Sequence, residues 1–276
     1  MRQSISMLNR AIHLARKTPA EPSLFEGFSG VAWTAVHLNR RFGLEFPLES
    51  MEAVDEGIVH WLGKSRHQED HDLIGGIVGL GVHFLERLPS AMAREGLCVI
   101  LAHLKETATL DGDGLAWLTP PQLMPETLRS AHPEGYFNIG MAHGITGIIS
   151  LCARIYREGI AQDSARALME GGVAWLLRNE VKRRSRSSYP CWVTPAGYRR
   201  EGRHGWCYGD FGPVFALLVA GTVLGNGGWL RKARDTALDL ARMDLAKSPE
   251  GRCDNPFMCH GSAGLAHMYN RLFQST

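Results

Sequence analysis

The sequence predicts an all-α protein in which apolar and amphipathic helices alternate around a common centre. Three observations carry that expectation. A pattern of glycine, two residues, glycine and then an apolar helical run recurs five times. The segments between copies place apolar residues three and four apart and charged residues on the opposite face. Strand signals are few: 189–193 and 202–206 are expected to pair as one short hairpin.

The motifs are Gly27-x-x-Gly30, Gly76-x-x-Gly79, Gly144-x-x-Gly147, Gly209-x-x-Gly212 and Gly261-x-x-Gly264. They precede runs at 31–38, 80–88, 148–156, 213–224 and 265–273, apolar nearly all round and therefore expected to be buried. The amphipathic partners are expected at 5–17, 51–62, 91–107, 164–180 and 229–245. Inner and outer helices in that order can close into a ring, with the glycine motifs at the N-termini of the inner helices and opening onto one end. Glycine there permits close helix approach. An open helical solenoid satisfies the same repeat.

At 276 residues and 45% hydrophobic content, the chain can bury a large core, and it is read as one domain spanning 1–276. Thirty basic against 28 acidic residues leave a net charge of +2. That balance gives no global argument for nucleic-acid or membrane-surface binding. The one dense basic run, 182–186, reads as a solvated loop. No apolar signal core follows the N-terminus, and no apolar stretch approaches the ~20 residues of a membrane helix. The expectation is a cytoplasmic protein without an integral membrane segment. The six cysteines are dispersed, which favours reduced core residues or metal ligands over disulfides.

Chemistry-bearing residues cluster on the repeat. His143 directly precedes Gly144, Cys207 lies two before Gly209, Cys259 and His260 directly precede Gly261, and Asp72 lies four before Gly76. A shared repeat geometry projects them toward one mouth. Two thiolates and an imidazole suit Zn²⁺, and three protein ligands leave a fourth position for water or substrate. The alternatives are that Cys207 and Cys259 are small buried residues, or that Cys253 completes a closed Cys₃His site. His13, His37, His60, His83, His103 and His267 fall in helices as packing or surface residues, and His204 either lines the site or sits in a plain loop.

Taken together, Asp72-Leu-Ile-Gly-Gly-Ile-Val-Gly, Gly140-Met-Ala-His143-Gly, Trp206-Cys207-Tyr208-Gly209 and Cys259-His260-Gly261 resemble the lanthionine synthetase C-like proteins, the lanthipeptide cyclases, over about residues 22–269. The resemblance implies an α/α toroid with one zinc ion held by Cys207, Cys259 and His260. His143 and Asp72 match a family His and Asp implicated in acid–base work, and Arg203 and Tyr208 match a family Arg and Tyr beside the first zinc cysteine. The implied reaction adds a peptide cysteine thiol to dehydroalanine or dehydrobutyrine, forming a thioether ring. The implied partners are a dehydrated precursor peptide and a lanthipeptide dehydratase. Two departures stand out. The family toroid has seven inner–outer pairs, and about five are counted here, which implies an incomplete ring. The fourth motif reads Gly-Asp-Phe-Gly-Pro, where the family usually has Gly-x-Pro-Gly, and this places Asp210 near the metal.

A free thiol has a pKa of about 8.5 and is mostly protonated at neutral pH; zinc coordination deprotonates it. Attack on the dehydro residue generates an enolate that needs a proton. His143 as imidazolium can donate it, with Asp72 fixing the ring, Arg203 stabilising the enolate oxygen and Tyr208 adding a hydrogen bond. Asp72 could equally serve only as a helix cap, Arg203 as a loop ion pair and Tyr208 as packing. Three other functions compete: a related enzyme adding a small thiol such as glutathione, a non-catalytic peptide-binding toroid, and an unrelated α/α-barrel enzyme. No pair of carboxylates beside the repeats supports glycan chemistry.

Overall fold

The computed structural model describes residues 2–15, 17, 20–44, 51–64, 70–181, 187–202, 205–242 and 255–275. Its helices follow in chain order: α1 (Arg2–Ala15), α2 (Phe28–Phe42), α3 (Met51–Lys64), α4 (Ile77–Arg87), α5 (Ala91–Thr107), α6 (Glu126–Ala131), α7 (Ile145–Arg157), α8 (Gln162–Arg178), α9 (Phe211–Leu224), α10 (Gly227–Arg242) and α11 (Ser262–Ser275). Apart from the short α6, they alternate as the repeat requires. Inner α7 buries nine of its 13 residues, whereas outer α10 buries only Ala233, Thr236 and Leu240. Inner neighbours pack in sequence, α2 on α4, α4 on α7 and α7 on α9. Phe211 and Val214 of α9 then share a cluster with Leu265, Met268 and Leu272 of α11. The described residues therefore hold five inner and five outer helices, the number the repeat predicts.

The glycine motif has a steric cause. The residue after the first glycine donates its N–H to a carbonyl seven residues upstream: Phe28 to Glu21 (3.2 Å), Ile77 to Asp70 (2.8 Å) and Ser262 to Asn255 (3.0 Å). The chain thus folds tightly back onto the start of each inner helix. A Cβ on Gly76 would lie 1.9 Å from the Asp70 carbonyl oxygen, and one on Gly144 would lie 2.1 Å from that of Asn138. No side chain fits there.

These turns gather at one end and bond to each other. Phe25 donates its N–H to the Ile74 carbonyl (3.2 Å), Leu73 to Ala142 (2.8 Å) and Trp206 to Cys259 (2.9 Å). Phe25, before the first inner helix, also meets Trp206, before the fourth, with ring centroids 6.4 Å apart. In an open solenoid a repeat touches only its neighbours. Contact between the first and fourth motifs makes this an α/α toroid.

On the wall, Asp55 of α3 accepts from His83 (2.8 Å) and from the Arg87 Nε (2.7 Å) of α4. His83 and Asp55 are fully buried, so this paired charge fixes the register of an outer helix against an inner one.

The expected hairpin is corrected. β5 (Trp192–Val193) pairs with β6 (Arg199–Arg200), not with 202–206. The reason is a tight turn: Gly197 adopts φ +88°, its N–H bonds the Thr194 carbonyl (2.9 Å), and the chain reverses before 202 is reached. The segment between α5 and α7, silent in the sequence, supplies the rest of the β-structure. β1 (Thr109–Asp111) and β2 (Gly114–Ala116) form a hairpin against α8. β3 (Leu118–Thr119) and β4 (Tyr136–Asn138) complete an antiparallel sheet in the order β3-β4-β5-β6. That sheet carries Asn138 and Tyr136 to the mouth of the toroid.

Candidate metal centre

Cys207 lies in the turn before α9, and Cys259 and His260 lie in the turn before α11. The Trp206–Cys259 backbone bond lashes the two turns together, so the ligand residues are neighbours despite 52 residues of separation. One sulfur from each cysteine and one ring nitrogen of His260 lie within 4.8 Å of one another. Tetrahedral zinc with such ligands needs donors about 3.5–3.8 Å apart, within reach of small side-chain rotations. Two thiols and an imidazole are also the donor types zinc selects. Among the described residues no other group of three His, Cys, Asp or Glu side chains gathers in this way. Cys207 is buried, Cys259 half-buried and His260 exposed, so the centre faces outward. Cys253, the possible fourth ligand, lies outside the described residues, as do Arg203, His204 and the basic run 182–186.

Asp72 and His143 meet across the second and third motifs. The His143 Nδ1 is 2.8 Å from the Asp72 Oδ2. The Asp72 Oδ1 accepts the N–H groups of Gly75 (2.6 Å) and Gly76 (2.8 Å). Asp72 therefore braces the entry to α4 and orients His143 at once; the two readings of this residue are not alternatives. Burial pushes its carboxyl up, but the hydrogen bonds from His143 and the two glycine N–H groups outweigh burial and hold it below the usual range. Tyr208 stands beside His143, ring centroids 5.6 Å apart.

Three groups at this mouth escaped the sequence reading. Asn138, buried on β4, accepts the Gly140 N–H (2.9 Å) and donates to the Tyr208 hydroxyl (3.4 Å). Tyr136 also bonds Asn138, and burial, with Tyr208 nearby, pushes its hydroxyl up to about 12. Asp70 accepts the Asp72 N–H (3.1 Å) through its side chain. Burial and the adjacent Asp72 push its carboxyl up to about 6. The signal that could have found two of them is register: Asp70 and Asn138 both lie six before the first glycine of their motifs. Asp210 is turned elsewhere. Its carboxylate accepts from the Ser187 hydroxyl (2.5 Å) and the N–H groups of Ser188 (2.8 Å) and Tyr189 (2.9 Å), anchoring the segment that leads into β5.

A pH prediction follows from Asp72. A carboxylate held below its unfolded value contributes stability that is present above about pH 4 and lost as pH falls through the folded pKa. Asp72→Asn is expected to be less stable than the unsubstituted protein by about 1–2 kcal/mol at pH 7. The gap should shrink as the pH drops from about 5 toward about 3. Urea unfolding midpoints of the two proteins across that range check this, and a pH-independent gap would contradict it.

The fold and the mouth define a class: an α/α toroid with a thiol-rich candidate metal centre where its inner helices begin. The chain belongs to the lanthionine synthetase C-like family, whose model matches residues 3–276. It is similar to nisin biosynthesis protein NisC of Lactococcus lactis subsp. lactis, 22% identical over 260 residues that cover 88% of this chain and 60% of that protein. Among solved structures it is similar in fold to a nisin cyclase, with a TM-score of 0.74 and 20% identity, over 91% of this chain and 64% of the other. The chain thus spans about three fifths of the length of these relatives. Among the described residues no helix is long and apolar enough to cross a membrane.

Proposed function

We propose that the protein is a zinc-dependent lanthipeptide cyclase, which adds cysteine thiols of a dehydrated precursor peptide to dehydroalanine or dehydrobutyrine. A lanthipeptide dehydratase would supply that substrate. The observation that carries the reading is the Cys207–Cys259–His260 group beside the His143–Asp72 pair at the mouth of a toroid of this family. Zinc held there would supply a Lewis acid that keeps the substrate thiol ionised at neutral pH.

Cys207, Cys259 and His260 would hold the ion, and as two thiolates and a neutral imidazole they would leave the centre without net charge, which would favour an electron-rich substrate sulfur. Addition forms a carbon–sulfur bond at the β-carbon, and the carbon–carbon double bond becomes an enolate. His143 would give the α-carbon its proton, a role supported by the ring being held at Nδ1 by the Asp72 carboxylate. Asp72, kept ionised, holds the ring in one orientation for that transfer. Tyr208, its hydroxyl steadied by Asn138, offers a hydrogen bond on the same side. Arg203 is assigned to the enolate oxygen by its match to the family residue.

His143→Ala is expected to retain zinc and to lose correctly cyclised product by at least about 100-fold in rate. The assay is incubation with a dehydrated cysteine peptide, scored by loss of free thiol with and without chelator. Normal cyclisation by this variant would remove His143 from the chemistry. Consumption of glutathione rather than the peptide's own thiol by the unsubstituted protein would replace ring formation with small-thiol addition.

A further inference from the structure

The mouth carries an apolar surface that holding the metal does not explain. Phe25, Phe257 and Met258 are 60%, 61% and 59% exposed. All three lie two to four residues before the first glycine of a motif, in the turns that ring the candidate metal centre. Met258 directly precedes Cys259, and half-buried Trp206 directly precedes Cys207. Phe25 leans on Trp206 with ring centroids 6.4 Å apart, and Phe257 packs edge-on to His260 at 6.2 Å. Trp206, Phe257 and Met258 are thus tied to the ligand residues by chain adjacency or ring contact, and Phe25 is tied to them through Trp206.

Large side chains left in water at the edge of a site lose free energy that a ligand covering them recovers. An extended peptide advances about 3.3 Å per residue. When its cysteine sulfur sits at the two thiols and imidazole, the residues on either side therefore fall on the turns that carry the ligands. We propose that Phe25, Trp206, Phe257 and Met258 form an apolar rim that selects peptides with large apolar side chains flanking the reacting cysteine. The proposal rests on the cyclase reading for the position of the sulfur. It deepens that reading by naming the substrate feature that is recognised.

The test uses the zinc-loaded full chain and two capped tripeptides, Phe-Cys-Phe and Ser-Cys-Ser, with calorimetric binding as the first readout. The aromatic peptide is expected to bind about tenfold tighter. In the Phe25→Ser, Met258→Ser double variant the preference is expected to fall within about twofold, with zinc content unchanged. Equal affinities in the unsubstituted protein, no binding of either peptide, or a preference that survives the double substitution would each overturn the rim.

Dehydrated peptides with the same flanks give the second readout. Discriminating binding without thioether formation would defeat the cyclase reading and leave the rim standing. Thioether formation at equal kcat/KM on both peptides would defeat the rim and leave the cyclase reading. Sedimentation covers the remaining occupant: a dimer dissolved by the double substitution would assign the surface to a second copy of the chain and overturn the proposal.

Discussion

Cys207→Ala is expected to take bound zinc from about one equivalent to near none, and cyclisation with it. Among the described residues there is no spare donor beside these three. Removing one thiolate leaves Cys259 and His260, a pair from one short turn that cannot enclose the ion. Cys207 is also the buried member of the group, so its loss opens the wall of the centre. Structural zinc sites hold the ion by about 10–16 kcal/mol, and losing one ligand of three should weaken binding by at least about 1,000-fold. Cys152→Ala serves as the control: that thiol is fully buried in α7, its pKa pushed up to about 12 by burial, and it lies outside the candidate centre. Metal analysis after dialysis decides the matter. Stoichiometric zinc in the Cys207 variant would show that the ion, if bound, sits elsewhere.

The second large effect is on stability. Gly144→Ala is expected to destabilise by at least about 3 kcal/mol. The new methyl would lie 2.1 Å from the Asn138 carbonyl oxygen and 2.9 Å from its side-chain oxygen. Neither can yield cheaply. The carbonyl belongs to the backbone turn that opens α7, and the side chain braces Gly140 and Tyr208. Relief requires moving His143 with its turn, so zinc-independent unfolding and acid–base chemistry should suffer together. Gly57→Ala provides the contrast. That glycine is exposed within α3, with nothing within 4 Å of where a methyl would sit, and alanine there should stabilise by about 0.5–1 kcal/mol through helix propensity. Urea midpoints of the two variants should therefore move in opposite directions. Similar shifts would mean that the repeat glycines are not there for steric reasons.

The helices were legible because their cause is local. Apolar spacing of three and four and the five glycine motifs place all ten ring helices within a few residues of where they lie. The site was legible for a related reason. Where one turn is repeated, a residue's offset from the glycine fixes its direction, so His143, Cys207, Cys259 and His260 could be assigned to one mouth. The stretch between α5 and α7 follows no repeat, and its strands have only two or three residues each. Strands that short draw their stability from the partners they meet, which sequence spacing does not reveal. The misplaced hairpin has the same origin: the turn at Thr194–Gly197 set the register, and Trp206 gives its N–H to Cys259 instead.

Asp210 marks the boundary most clearly. Its place in the fourth motif put it near the metal, yet its carboxylate bonds Ser187, Ser188 and Tyr189, more than 20 residues away in sequence. Asn138 is the reverse case, a strand residue whose sole signal is its place six before Gly144, yet it reaches Tyr208 across 70 residues.

By itself, then, the sequence determined the helical repeat, the steric need for its glycines and the residue types delivered to each turn, because these depend on neighbours within about seven positions. Only the tertiary structure decided that the first motif meets the fourth, that Cys207 and Cys259 come together, and which polar groups brace His143 and Tyr208. Those outcomes depend on contacts between turns, such as the Trp206–Cys259 bond and the Phe25–Trp206 contact, whose partners are brought together by the sum of helix packing around the whole toroid.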